Sequence, residues 1–228
     1  MKIVLILLGL VIVALGLSTL NYRQHARTAE SVADSIRFAD SALKARNTAL
    51  AAALDTQVAA ASRQKEAELA QVRSTYDQLV NSMKDEIAQG QIQITRLADR
   101  LSVTMVDKIL FPSGEAGITP PGLRILHRVG DVLKTTEGRI IRVEGHTDSV
   151  AISEKLRSTF PTNWELSTTR ATNVVRFLQD SVGIDPNRLQ AVGLAEYHPI
   201  ATNATVQGRS QNRRIEIALL PMEPAREP

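Results

Sequence analysis

The chain has 228 residues, 43% of them apolar and 22% charged, with 27 Lys and Arg against 24 Asp and Glu. These proportions exclude a wholly disordered chain, and a net charge of +3 is too small to argue for a nucleic-acid partner. The absence of Cys excludes disulfides, thiolate metal sites, a cysteine nucleophile and a lipid tether on an N-terminal Cys.

Lys2 precedes an apolar run from Ile3 to Leu20, broken only by Gly9, Gly16, Ser18 and Thr19. As a helix this run reaches roughly 27 Å, just short of a bilayer's hydrocarbon core. Two readings stay open: an uncleaved membrane anchor over residues 1–22, or a secretory signal peptide. The nearest small-residue cleavage pattern, Ala14-Leu15-Gly16, lies inside the run, and Asn21, Tyr22 and Arg23 resemble an interfacial edge, so the anchor is preferred. Lys2 on one side, with Arg23 and Arg27 on the other, leaves the orientation open. The run holds no Asp or Glu, the default mark of an ion-conducting helix, and reads as a passive tether.

Residues 23–100 read as a helical spacer. Between 27 and 100 there is no Pro and a single Gly, Gly90, and good helix formers dominate. Apolar positions recur at Val32, Ile36, Ala39 and Leu43, then at Leu69, Val72, Tyr76, Leu79, Met83, Ile87, Ile94, Leu97 and Leu101. Most steps are three or four residues, which predicts one apolar stripe. The stripe could pack back on its own chain. A parallel coiled coil joining a homodimer is preferred, because no second long helical segment is available to complete a bundle. A break is expected near Gly90.

From Leu101 the texture changes to alternating strand and helix patterns, the mark of an α/β domain over 101–221, with a tail at 222–228. Val103 to Phe111 reads as a strand. A helix starts at Thr119-Pro120-Pro121, Gly138 closes it, and Arg139 to Glu144 reads as the next strand, running into Gly145-His146-Thr147-Asp148. Thr162-Asn163-Trp164-Glu165 has the form of a capping box. On the wheel of the helix it opens, Ser167 and Arg170 fall inside the apolar arc, with Asn163 projecting the same way. A buried Arg170 needs either an acid inside the fold, Asp148 being one candidate, or an anion in a cleft. Leu189 to Leu194 and Arg213 to Leu219 read as the last strands.

The segments LFPSG (110–114), VEGHTDSV (143–150), NWELSTTRA (163–171), RLQAVGLAEYHPIATN (188–203) and GRSQNRRIEI (208–217) together resemble the OmpA/MotB C-terminal family. The NWELS wording and the insert at 149–162 are closer to the MotB branch. The resemblance implies a βαβαββ two-layer α/β sandwich that binds the diaminopimelate stem peptide of peptidoglycan without catalysis, cofactor or metal. It implies that Asp148 and Arg170 hold the diaminopimelate, with Thr147, Asn163, Leu166, Ser167, Asn212 and Arg213 around them; Arg213 could equally serve as a strand salt bridge. The expected location is the bacterial inner membrane, spanned once, with the C-terminal domain in the periplasm. Signal cleavage would instead give a periplasmic or outer-membrane-associated protein.

A stator subunit of an ion-driven motor, with a membrane-protein partner, is the alternative; the acid-free apolar run departs from it. A wall hydrolase is the third reading. Glu144, His146 and Asp148 would share a strand face, but His-x-Asp is not a specific zinc spacing and no G-x-S-x-G motif occurs. His146 reads more simply as a turn or core residue that positions the Asp148 loop.

Overall fold

The computed structural model describes residues 2–97 and 100–222, leaving aside the side chains of residues 2–8 and 11. The expected tail at 222–228 therefore lies, beyond Met222, outside the described residues. The chain divides into two units, Met1–Gln64 and Lys65–Pro228, and each is taken by itself.

The first unit is helical, formed by part of α1 (Lys2–Ser82). Its apolar side chains are exposed: Val32, Ile36, Leu43, Leu50, Leu54 and Val58 are each more than half accessible, as are Leu10, Ile12 and Leu15. Among the described residues no helix is long and apolar enough to cross a membrane. The expected span at 1–22 falls partly on side chains outside that set.

The second unit starts earlier than the expected boundary at residue 101. The last turns of α1 bury Val72 and Leu79 completely, Met83 follows them into the same core, and Tyr76 and Ile87 pack against it. The stripe from Val72 to Ile87 therefore packs on its own chain instead of facing a partner in a coiled coil, whereas Leu69 at its expected start stays exposed. An amphipathic pattern states that a face is buried, not what buries it. After the short α2 (Lys84–Ala88), Gly90 takes a left-handed φ of 66°. Gly90 N donates to Ile87 O at 3.0 Å and Gln91 N to Glu86 O at 2.9 Å, the double bond of a Schellman stop. Ile92-Gln93-Ile94-Thr95 then alternates as strand β1 (Ile92–Leu97), where the helical stripe had been extended through Ile94 and Leu97.

The remaining elements are β2 (Arg100–Val106), α3 (Asp107–Leu110), α4 (Pro120–Lys134), β3 (Arg139–His146), α5 (Asn163–Phe177), β4 (Leu189–Gly193), α6 (Val206–Asn212) and β5 (Arg214–Pro221). From β2 onward this is the expected βαβαββ order, with β1 added at the edge and α3 and α6 as two short insertions. The sheet order is β1-β2-β5-β3-β4, antiparallel except for the parallel β3–β4 pair. On one face Val103, Met105, Ile141, Val143, Ile215 and Ile217 are buried, together with Leu126, Val129 and Leu133 of α4 and Ala171 and Val174 of α5. Alternate residues such as Thr104, Arg142, Glu144 and Glu216 are only half-buried on the other face. The expected strand Val103 to Phe111 stops at Val106 and turns helical at Asp107.

Candidate functional site

The site lies where the C-terminal end of β3 meets the start of α5. Two glycines let the helix lie close to the sheet. A Cβ on Gly145 would sit 2.2 Å from the Ser167 carbonyl oxygen, and one on Gly193 would sit 2.0 Å from Thr168 Oγ1. Ser167 Oγ donates to Trp164 O at 3.1 Å and accepts from Ala195 N at 3.1 Å, stitching α5 to the loop after β4. The helix start is fixed by Thr162, whose Oγ1 accepts from Trp164 N at 3.1 Å. Glu165 Oε2 in return accepts from Thr162 N at 2.8 Å. The Thr162 hydroxyl, which donates to Glu165 Oε2 at 2.5 Å, and then the backbone N–H groups of Glu165 and Thr162 hold the exposed Glu165 carboxyl below its usual pKa.

Between these elements and α3 opens a cleft of about 440 Å³, lined by Asp107, Phe111, Thr147, Asp148, Asn163, Leu166, Arg170, Arg209 and Arg213 among others. Arg170 is 3% exposed, and its Nη1 lies 2.7 Å from Asp107 Oδ1. Its Nε donates to Glu115 O at 2.9 Å, and its guanidinium carbon stands 4.8 Å from the centroid of the Phe111 ring. Among the described residues, nothing bonds to its Nη2. The Asp107 contact is one of charge, since Oδ1 is buried without a well-aligned hydrogen bond. Burial pushes the Asp107 carboxyl pKa up, against the pull of Arg170 and Arg213. Burial pulls the Arg170 pKa down, opposed by Asp107, and an arginine stays cationic under such a shift.

Asp148 is held differently. Its Oδ2 pairs with Arg213 Nη1, and its Oδ1 accepts from Val150 N at 3.0 Å. Asn163 Nδ2 donates to Asp148 O at 3.3 Å and to Val150 O at 3.1 Å, fixing the turn that carries the carboxylate. Thr147 Oγ1 is buried without a hydrogen-bond partner among the described residues.

The structure thus brings Asp148, Arg170, Thr147, Asn163, Leu166 and Arg213 to one cleft. Ser167 and Asn212 do not line it. The Ser167 hydroxyl is spent on α5 and the following loop. Asn212, fully buried, accepts from Ile200 N and Ala201 N, both at 2.9 Å. It donates to Ala201 O at 2.9 Å and to Asn203 Oδ1 at 2.8 Å, so it braces the 200–203 loop. The Arg170–Asp148 pair considered from the sequence does not form; Asp107 takes that place. Sequence reasoning missed Asp107, although a lone acid inside the apolar run Val103 to Phe111 is the signal of a buried carboxylate that needs a cation. The grouping of Glu144, His146 and Asp148 does not form either. Asp148 turns to Arg213, whereas His146 Nε2 stays 3.9 Å from Glu144 Oε2.

Residues 110–213 match the OmpA family. The chain is 32% identical to Motility protein B of Bacillus subtilis over 157 residues, 69% of this chain and 59% of that protein. Among solved structures it is similar to a putative MotB-like protein from Desulfovibrio vulgaris, with a TM-score of 0.63 and 27% identity over 72% of this chain and 99% of that one. It is also similar to the cell wall anchor of the T6SS from Pseudomonas aeruginosa, with a TM-score of 0.58 and 33% identity over 63% of this chain and 97% of that one. The chain spans 59 to 60% of the length of the first curated relatives it matches.

Proposed function

The chain belongs to the OmpA family, on its MotB side, and from that premise we propose that it is a non-catalytic tether that grips peptidoglycan through the Asp148–Arg170 cleft. The observation that carries this reading is the convergence of Asp148 and Arg170 on one cleft, each held by its own partner. The free end of diaminopimelate carries an ammonium and a carboxylate. Asp148 pairs with the ammonium, and the open edge of the Arg170 guanidinium takes the carboxylate. Leu166 and Phe111 supply apolar wall, and Thr147 Oγ1 offers a buried hydrogen-bonding group. Asp107 acts as a positioning residue: with Glu115 O it fixes the guanidinium plane before ligand arrives. Arg209, Arg213 and Lys108 leave the cleft with more positive than negative groups, which favours an anionic peptide end.

In the same reading Ile3 to Leu20 anchors the chain in the inner membrane, facing its C-terminal domain to the periplasm. The exposed stripe from Val32 to Val58 pairs with a second copy as a coiled coil. The likeness to Motility protein B favours a stator role as the second reading, and the absence of an acid in the apolar run counts against it.

The test is co-sedimentation of the detergent-solubilised full chain with purified peptidoglycan. The full chain is needed because α1 and β1 complete the core. Retention is expected, with loss in Asp148→Ala and in Arg170→Ala; retention unchanged in both variants would sink the assigned site.

A further inference from the structure

The half-open face of the sheet carries a group of side chains that the cleft does not use. Glu144 on β3 stands directly opposite Glu216 on β5, and like charges so placed repel. Two residues along β3, on the same face, His146 is 3% exposed, and neither ring nitrogen has a hydrogen-bond partner among the described residues. One imidazole nitrogen and one oxygen from each carboxylate lie within 4.8 Å of one another. The charged neighbours leave this group unsatisfied. Arg100 Nη2 stays 4.0 Å from Glu144 Oε1, and Arg214 Nη2 stays 3.9 Å from Glu216 Oε2, both at the outer limit of ion pairing. Arg214 also gives its guanidinium to the carbonyls of His198 and Asn212, each at 3.3 Å. Arg142 is on the same strand face, and the His198 ring centroid lies 6.4 Å from that of His146.

We propose that Glu144, His146 and Glu216 bind a divalent transition cation of the Zn²⁺ class, clamping β3 to β5 on the sheet face outside the peptidoglycan cleft. One cation relieves both defects, since it neutralises the facing carboxylates and gives the buried imidazole a partner. The donor set selects the class. An imidazole nitrogen with two carboxylates suits Zn²⁺ and its neighbours, whereas Ca²⁺ and Mg²⁺ take oxygen alone. Ligand bonds near 2.0–2.2 Å set tetrahedral donors about 3.3 Å apart, a closure within reach of rotation at the two long Glu side chains. Water completes the shell. Because His146 directly precedes Thr147 and Asp148, the clamp would fasten the strand end from which the cleft turn departs.

The test uses detergent-solubilised full chain stripped with EDTA and titrated with Zn²⁺ by calorimetry, with Ca²⁺ in parallel. Co²⁺ absorption serves as a second measurement of coordination. One equivalent of Zn²⁺ per chain is expected, with a raised melting temperature and no comparable response to Ca²⁺. Glu144→Gln and Glu216→Gln keep the side-chain shape and are expected to weaken Zn²⁺ binding by at least about tenfold. His127→Gln, at an exposed His–Asp pair on α4, is expected to leave it unchanged. Absence of stoichiometric binding, or binding that both Glu→Gln variants leave intact, overturns the proposal.

Discussion

Replacing Asp107 with Asn separates what holds Arg170 from what Arg170 binds. Arg170 is 3% exposed and lies 2.7 Å from Asp107, so the substitution leaves a buried cation with its nearest counter-charge removed. Breaking a buried pair from one side costs about 3–5 kcal/mol. Two features place this case at the low end. Burial already pushes the Asp107 pKa up, so removing its charge recovers part of a desolvation penalty. Arg170 also keeps the Glu115 carbonyl and the Phe111 ring. We expect a loss of about 3 kcal/mol, or roughly 6–12 °C in melting temperature for a unit of this size. The assay is thermal unfolding followed by near-UV circular dichroism, which reports the packed domain and not the helix of residues 2–64. Peptidoglycan retention, measured below the transition, is expected to persist, because the guanidinium keeps its charge and is still oriented by Glu115 O and the Phe111 ring. A stability loss under about 1 kcal/mol would refute the buried pair as a determinant of the fold. Loss of retention in a variant of unchanged stability would show that Asp107 touches ligand itself.

Gly145→Ala is expected to destabilise by about 3 kcal/mol or more, since its Cβ would meet the Ser167 backbone oxygen at 2.2 Å and backbone cannot yield; chemical denaturation measures it. Leu79→Ala is expected to cost about 2–5 kcal/mol, whereas Leu50→Ala, at an exposed helix position, is expected to change the domain's stability by less than about 0.5 kcal/mol. Equal effects would contradict the boundary at residues 64 and 65. Burial and the nearby Arg214 and His198 lower the His146 pKa to about 3 from an ordinary value of 6.5. The unfolded chain therefore binds the extra proton first, so the His146 contribution to stability in EDTA is full above pH 6.5 and falls by roughly 1.4 kcal/mol per pH unit as pH drops from there toward 3. A His146→Gln variant that folds should lose that slope.

How far the sequence carried depends on which contacts are local. Thr162 and Glu165, three residues apart, formed the capping box expected of them, and the order β2-α4-β3-α5-β4-β5 followed from alternation and turn residues, although the short helices α3 and α6 did not. Arg170 stood out as a cation on an apolar arc, and the structure buries it. Its partner was hidden because Asp107 lies 63 positions away, inside an alternating run that read as strand through Phe111. The stripe from Val72 to Ile87 was visible, but the partner of a stripe is set by tertiary packing, and Ile92 to Leu97 needed β2 beside it to become a strand. Ser167 and Asn212 carry polar atoms in recognisable segments. Only the hydrogen-bond geometry shows those atoms spent on Trp164, Ala195 and the 200–203 loop.

The central claim, that the cleft reads the free end of diaminopimelate, is tested most directly by calorimetry of the full chain with two synthetic stem peptides. One carries diaminopimelate, and the other carries Lys, which keeps the ammonium but lacks the terminal carboxylate. Loss of one charge-assisted contact to a buried guanidinium predicts binding about 100-fold weaker for the Lys peptide, with most of that difference vanishing in Arg170→Ala. Equal affinity for the two peptides would contradict the account.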